Sequence, residues 1–113
     1  MYARINTFEG DTDRFPETHL EMKDYVIPGL RDVEGFRGVV NLLDAESGQS
    51  ITITFWESEK AMDDSESASA ALRIHAILPN GVSLVRVQRC EVGELYIKPE
   101  HTVTTVPPTS EVD

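Results

Sequence analysis

Asn6, Trp56 and Arg86, with Arg4 beside Asn6, place an amide, an indole and two guanidinium groups in strand-like runs of alternating character. Donors of these kinds can hold the polar atoms of a ligand. Equally, Trp56 can anchor a core, Asn6 can bond a neighbouring strand, and the arginines can pair with acids of a second chain. His19 recurs with Phe15, Met22 and Val26 at helical spacing. That spacing turns it toward the core side of a helix, as a satisfied core residue or as a general base. His75 falls near the end of a second helical run, where the helix dipole favours a positive charge. His101 lies beyond the periodic segments and is not a candidate. Neither Cys90, the one cysteine, nor Tyr25 has a partner that argues for nucleophilic catalysis. G-x-S-x-G, P-loop and dinucleotide fingerprints do not occur, and the spacings predict no metal site.

The elements that must position these residues are legible in order. Residues 2–9 read as a strand ended by Gly10 and Asp11. A helix then opens at Thr12 or Asp13 as N-cap with Pro16 in its first turn, and runs to about Val26 before Pro28 and Gly29. Residues 36–44 and 50–56 read as strands joined by a turn at 46–49, and so as an antiparallel pair. Ser58 caps a second helix through Met62, Ser65, Ser69, Leu72 and Ala76 to about Ile77, its middle weakened by serines. Pro79, Asn80 and Gly81 break it, and 82–92 is the fourth strand.

The order βαββαβ predicts an α+β, ferredoxin-like fold in which both helices cover one face of a four-stranded antiparallel sheet. Alternation divides the strand residues into two sets. Ala3, Ile5, Ile51, Ile53, Phe55, Val85 and Val87 are expected beneath the helices. Tyr2, Arg4, Asn6, Phe8, Val40, Leu42, Thr52, Thr54, Trp56, Leu84, Arg86 and Gln88 are expected on the bare face, which is too apolar and aromatic to meet water across a whole sheet. A second copy of the chain is the economical cover, closing a dimeric α/β barrel with a lined interior between sheet and helices.

At 113 residues the chain has the size of one domain, and 40% hydrophobic residues supply a single core. We expect residues 1–97 to form that domain and 98–113, rich in Pro, Thr, Val and Glu, to form a flexible tail. Leu95, Tyr96 and Ile97 are left to dock on a neighbouring subunit. Twenty acidic against ten basic residues give a net charge of −10, which disfavours nucleic acid and anionic membrane as partners. Met1 leads straight into a strand without the pattern of a signal peptide, so a cytoplasmic location is expected.

The segment Ile53-Thr54-Phe55-Trp56-Glu57-Ser58-Glu59-Lys60-Ala61-Met62, with Val33-Glu34-Gly35-Phe36-Arg37-Gly38 upstream, resembles the antibiotic biosynthesis monooxygenase domain over about residues 2–95. The resemblance implies a dimeric α+β barrel. Its implied activities range from cofactor-independent oxygenation of aromatic polyketides to haem degradation, and include small proteins without assigned activity. By resemblance, Asn6, Trp56 and Arg86 would stabilise an enolate in a dry pocket, and His19 would take a phenolic proton. Arg4, Phe8, Met22, Thr54 and His75 would bind ligand. The expectation is a cofactor-independent monooxygenase acting on a flat aromatic or phenolic molecule, with no cofactor. The alternative is a non-catalytic ligand-binding or assembly protein. A third reading, haem binding through His75, lacks the helix tryptophan of the haem-degrading branch, because Ser65 stands at that position.

Overall fold

The structure, a computed structural model, describes residues 1–80 and 82–98, with the side chains of 1–74 and 82–98. Strand β1 (Tyr2–Glu9) leads through a 3₁₀ turn (Thr12–Arg14) into α1 (Phe15–Glu21), a π-helical segment (Met22–Val26) and α2 (Ile27–Arg31). Strands β2 (Phe36–Asp44) and β3 (Gln49–Trp56) form the hairpin, α3 (Glu59–Asp64) and α4 (Glu66–Asn80) follow, and β4 (Ser83–Glu91) closes the sheet. The strand order is β2-β3-β1-β4 and all three pairings are antiparallel, which is the ferredoxin-like arrangement. Residues 99–113, and with them the expected tail, lie outside the described residues.

Local chemistry accounts for the ends of these elements. The side chain of Asp11, rather than Thr12 or Asp13, caps the first helical turn by accepting from Asp13 N at 3.0 Å. Ser58 Oγ caps α3 by accepting from Ala61 N at 3.0 Å. Pro28 does not end the helical region. The proline ring would meet the carbonyl of residue i−4 in a straight α-helix. Just ahead of it, the chain takes π turns, with Ile27 N bonded to Met22 O, and then resumes as α2. The second helix divides at Ser65, which separates α3 from α4.

Two glycines are required by geometry. Gly48 has φ +74°, and a Cβ there would lie 2.7 Å from Gly10 O, across the bond from Gly10 N to Gly48 O that ties β1 to the hairpin. Gly35 has φ +82°, and a Cβ there would overlap Ala61 Cβ, so the Gly35 turn and the start of α3 pack without a gap. Gly35 O also accepts from Glu57 N at 2.9 Å.

The two faces of the sheet are exchanged relative to expectation. Trp56, Met62, Leu30, Val26 and Met22 form the buried cluster between helices and sheet, so the Trp56 side is the covered one. Arg4, Asn6, Phe8, Ser50, Thr52 and Thr54 lie buried on that same side. Ile5, Ile51, Ile53 and Phe55 lie on the side away from the helices, where β2 adds Val40 and Leu42, 38% and 48% exposed. The physical reason is that the covered layer is built around the indole and a buried guanidinium whose polar partners the helices supply. Aliphatic side chains need no such partners, and they remain on the open face. Val40, Leu42, Arg86 and Gln88 are on the open side as expected, and Val87, opposite Asn6, is on the helix side.

Candidate functional site

Arg4 enters the covered layer from the middle of the sheet, 1% exposed. Its Nη1 donates to Ser69 Oγ at 2.8 Å and to Ser65 Oγ at 3.3 Å, and its Nη2 donates to Met62 O at 2.6 Å. Glu66 Oε2 lies 2.9 Å from Nη2, and the guanidinium stands 5.8 Å from the centre of the Trp56 ring. Burial pulls the Arg4 guanidinium below its ordinary value, against the charge of Glu66. The serines read as weakening the helix are therefore acceptors for a buried cation. Ser65 Oγ also donates to Met62 O at 2.7 Å, so the position of the missing porphyrin-facing tryptophan is occupied by Arg4's own coordination.

Glu66 bridges two arginines, since its Oε1 accepts from Arg73 Nη2 at 2.5 Å. Desolvation pushes the Glu66 carboxyl upward. The Arg73 hydrogen bond and the charges of Arg4, Arg73 and Arg89 outweigh it and hold the group below its ordinary value. Glu66 and Arg73 are seven residues apart, two helical turns, so both project from one side of α4.

Between this network and the π segment lies a cavity of about 60 Å³, room for several waters or part of a small ligand. Its sheet wall is Asn6, Phe8, Ser50, Thr52 and Thr54, and its helix wall includes Thr18, Glu21, Met22, Val26 and Leu30. Ser69, Leu72, Arg73 and Val82 complete it. The row Thr18, Met22, Val26, Leu30 advances by four residues a step. An α-helix would drift by about 40° at each such step. The wider π turn keeps the row on the cavity. Asn6 is 5% exposed, and its Oδ1 has no hydrogen-bond partner among the described residues; the same holds for Arg73 Nη1.

Asn6, Phe8, Met22 and Thr54 are thus brought together. Trp56, Arg86, His19 and Arg4 are not in the cavity lining. Trp56 is fully buried in the core, edge-on to Phe36 at 5.5 Å, and its Nε1 donates to Thr54 Oγ1 at 3.0 Å, so its N–H is already used. Arg86 pairs with Thr7 in the register of β1 and β4, which puts it on the open face opposite to Asn6. His19 is half-buried outside the cavity lining, because Thr18 and Glu21 take the inward positions of α1. Arg4 reaches the layer behind the cavity through Ser69. His75 falls in α4, and its side chain lies outside the described residues. Sequence reasoning missed Arg73, Glu21 and Ser69. The signal available for Arg73 was its two-turn spacing from Glu66.

The model of the family described as antibiotic biosynthesis monooxygenase matches residues 1–77. The chain belongs to that family. Among proteins of Mycobacterium tuberculosis (strain H37Rv), uncharacterized protein Rv2558 is 31% identical over 96 residues, covering 85% of this chain and 40% of the relative. The chain thus spans about two fifths of the length of the curated relatives it matches first. Among solved structures, HapK from Hahella chejuensis superposes with a TM-score of 0.67 at 15% identity, covering 86% of this monooxygenase-family chain and 98% of HapK. A monooxygenase from the gene ActVA-Orf6 of Streptomyces coelicolor, solved with the ligand Nanaomycin D, gives 0.62 at 19% identity, covering 85% and 91%. The heme-degrader MhuD of Mycobacterium tuberculosis, with two hemes in its active site, gives 0.61 at 21% identity, covering 85% and 99%. At these identities the likeness is one of fold. Among the described residues no cluster of three or more His, Cys, Asp or Glu side chains could hold a metal ion, and no helix is long and apolar enough to cross a membrane.

Proposed function

We propose that this family member oxygenates a small, flat, enolisable aromatic molecule in the cavity between sheet and helices. The observation that carries the reading is Asn6, a nearly fully buried amide facing an otherwise mainly apolar cavity with its carbonyl oxygen unsatisfied among the described residues. Such a site offers little to solvent and a few oriented polar groups to a ligand. The amide oxygen would accept from the substrate's hydroxyl, and the N–H of the same amide would stabilise an enolate oxygen as charge develops on it. Glu21, the carboxylate of the lining, is the proton acceptor of the proposal in place of His19.

The chemistry balances without a further reductant. An activated methylene of the substrate and one O₂ give a carbonyl and one water: the substrate loses two hydrogens and gains one oxygen atom, and the second oxygen leaves as water. The resemblance in fold to a monooxygenase solved with Nanaomycin D supports this class of reaction.

The open face supports homodimer formation as part of the same proposal. Ile5, Ile51, Ile53, Phe55, Val40 and Leu42 make a contiguous aliphatic and aromatic surface, and Leu95, Tyr96 and Ile97 extend beyond β4 with 47%, 84% and 75% exposure. A second copy would bury this face and complete a barrel, and Arg86 on it would pair with an acid of the partner. Oxygen uptake with anthrone tests the activity. Turnover in the parent protein that falls by about a hundredfold in Asn6→Ala is expected. Absence of O₂ consumption with any such substrate would leave the family's non-catalytic, ligand-binding role.

A further inference from the structure

Among the described residues Arg73 is the one cation in the cavity lining, and its two ends are treated differently. Nη2 is fixed by Glu66 Oε1 at 2.5 Å, whereas Nη1 is buried and has no acceptor among the described residues. The Arg73 side chain is only 14% exposed, so water does not freely satisfy that N–H. Glu66 cannot neutralise Arg73 alone, because the same carboxylate also serves Arg4 at 2.9 Å. Two guanidinium groups share it. On the sheet wall of the same cavity, Asn6 Oδ1 is an acceptor without a donor. At Arg73 Nη1 and Asn6 Oδ1 the site thus lacks, among the described residues, one anionic acceptor and one hydroxyl donor.

We propose that Arg73 determines the specificity of this cavity, donating from Nη1 to the carboxylate of a planar aromatic ligand whose hydroxyl donates to Asn6 Oδ1. The ligand class is an aromatic hydroxy acid. This rests on the cavity being the ligand site of the proposed function, and it adds the charge of the ligand and the residue that reads it. Glu66 acts as a positioning residue that holds the guanidinium plane. Glu21, the acid of the same lining, disfavours a second anionic group, so one carboxylate per ligand is admitted.

3-Hydroxybenzoate, 3-hydroxybenzamide and 3-methoxybenzoate are closely related probes that separate these contacts, since a meta hydroxyl cannot bond its own carboxylate. Titration calorimetry on the full chain is expected to give 3-hydroxybenzoate at least about tenfold tighter than 3-hydroxybenzamide, as a charge-assisted bond exceeds a neutral one. It is also expected to give 3-hydroxybenzoate tighter than 3-methoxybenzoate, which cannot donate to Asn6. Arg73→Gln should abolish the preference for the acid by weakening acid binding more than amide binding, and Arg73→Lys should retain part of it. The comparison in the unmodified protein does not depend on whether Arg73→Gln folds. Equal binding of acid and amide by the unmodified protein, no binding of either at millimolar concentration, or an undiminished preference in folded Arg73→Gln each overturns the proposal. Charge-selective binding with no oxygen uptake would leave it standing and remove the oxygenase reading. Oxygen uptake indifferent to Arg73→Gln, with no preference for the acid, would do the reverse.

Discussion

Ser69 Oγ on α4 accepts a 2.8 Å hydrogen bond from Arg4 Nη1 on the central strand, fastening helix to sheet through a charge buried beneath the tryptophan layer. Removing the cation strands its acceptors rather than simply deleting a contact. Arg4→Met, close in length, should lower stability by about 1–3 kcal/mol, the cost of leaving buried polar groups unmet. Urea denaturation followed by Trp56 fluorescence measures it, and a variant as stable as the parent would mean that water replaces the guanidinium.

Acid should loosen the same joint. Glu66 is held below its ordinary value in the folded chain, so its contribution is present above the unfolded carboxyl pKa and is lost as pH falls through the lower folded one. Melting temperature should therefore decline on the acid side of the normal glutamate range. Glu66→Gln should flatten that limb while leaving the slope above neutrality unchanged. A parallel acid decline in the variant would assign it to other carboxylates.

The open aliphatic face should control assembly. Ile53→Lys puts a charge at its centre, next to Ile5 and Val40 in register, and should weaken dimerisation by at least about tenfold, because a buried lone charge is costly. Sedimentation velocity across a concentration series reads this directly. A parent protein that sediments as a monomer throughout would remove the barrel from the proposal.

Gly35 should tolerate no side chain. Its positive φ disfavours any other residue, and an added Cβ would overlap Ala61. Gly35→Ala is expected to cost about 1–3 kcal/mol, of which Ala61→Gly in the same chain restores the steric part. Denaturation of the single and double variants separates strain from overlap. If the second change restores nothing, the cost lies in the backbone alone.

The order of elements, the antiparallel sheet and the family were legible because alternation, caps and glycine turns are local signals, as at Ser58 and along 50–56. The choice of covered face was not. It turned on whether Arg4 and the threonines could be satisfied under helices, which depends on Ser65, Ser69 and Met62 O, some 58 to 65 residues away. Asn6, Phe8, Met22 and Thr54 converge on one cavity even so, because residues of like parity stay together whichever side the helices choose. Arg86 parted from them because a bulge between Thr7 and Phe8 shifts the β4 register there. Arg73 was overlooked because a lone charge within a helix reads as solvated until its neighbours are known.

The strand order also bears on how the molecule comes into being. β1 is flanked by β3 and β4, yet it leaves the ribosome well ahead of both. Until residues 83–91 have been synthesised, one hydrogen-bonding edge of the sheet's middle strand has nothing to pair with. Productive folding waits on those late residues, and a nascent chain stalled before them would present that edge to chaperones or to another chain.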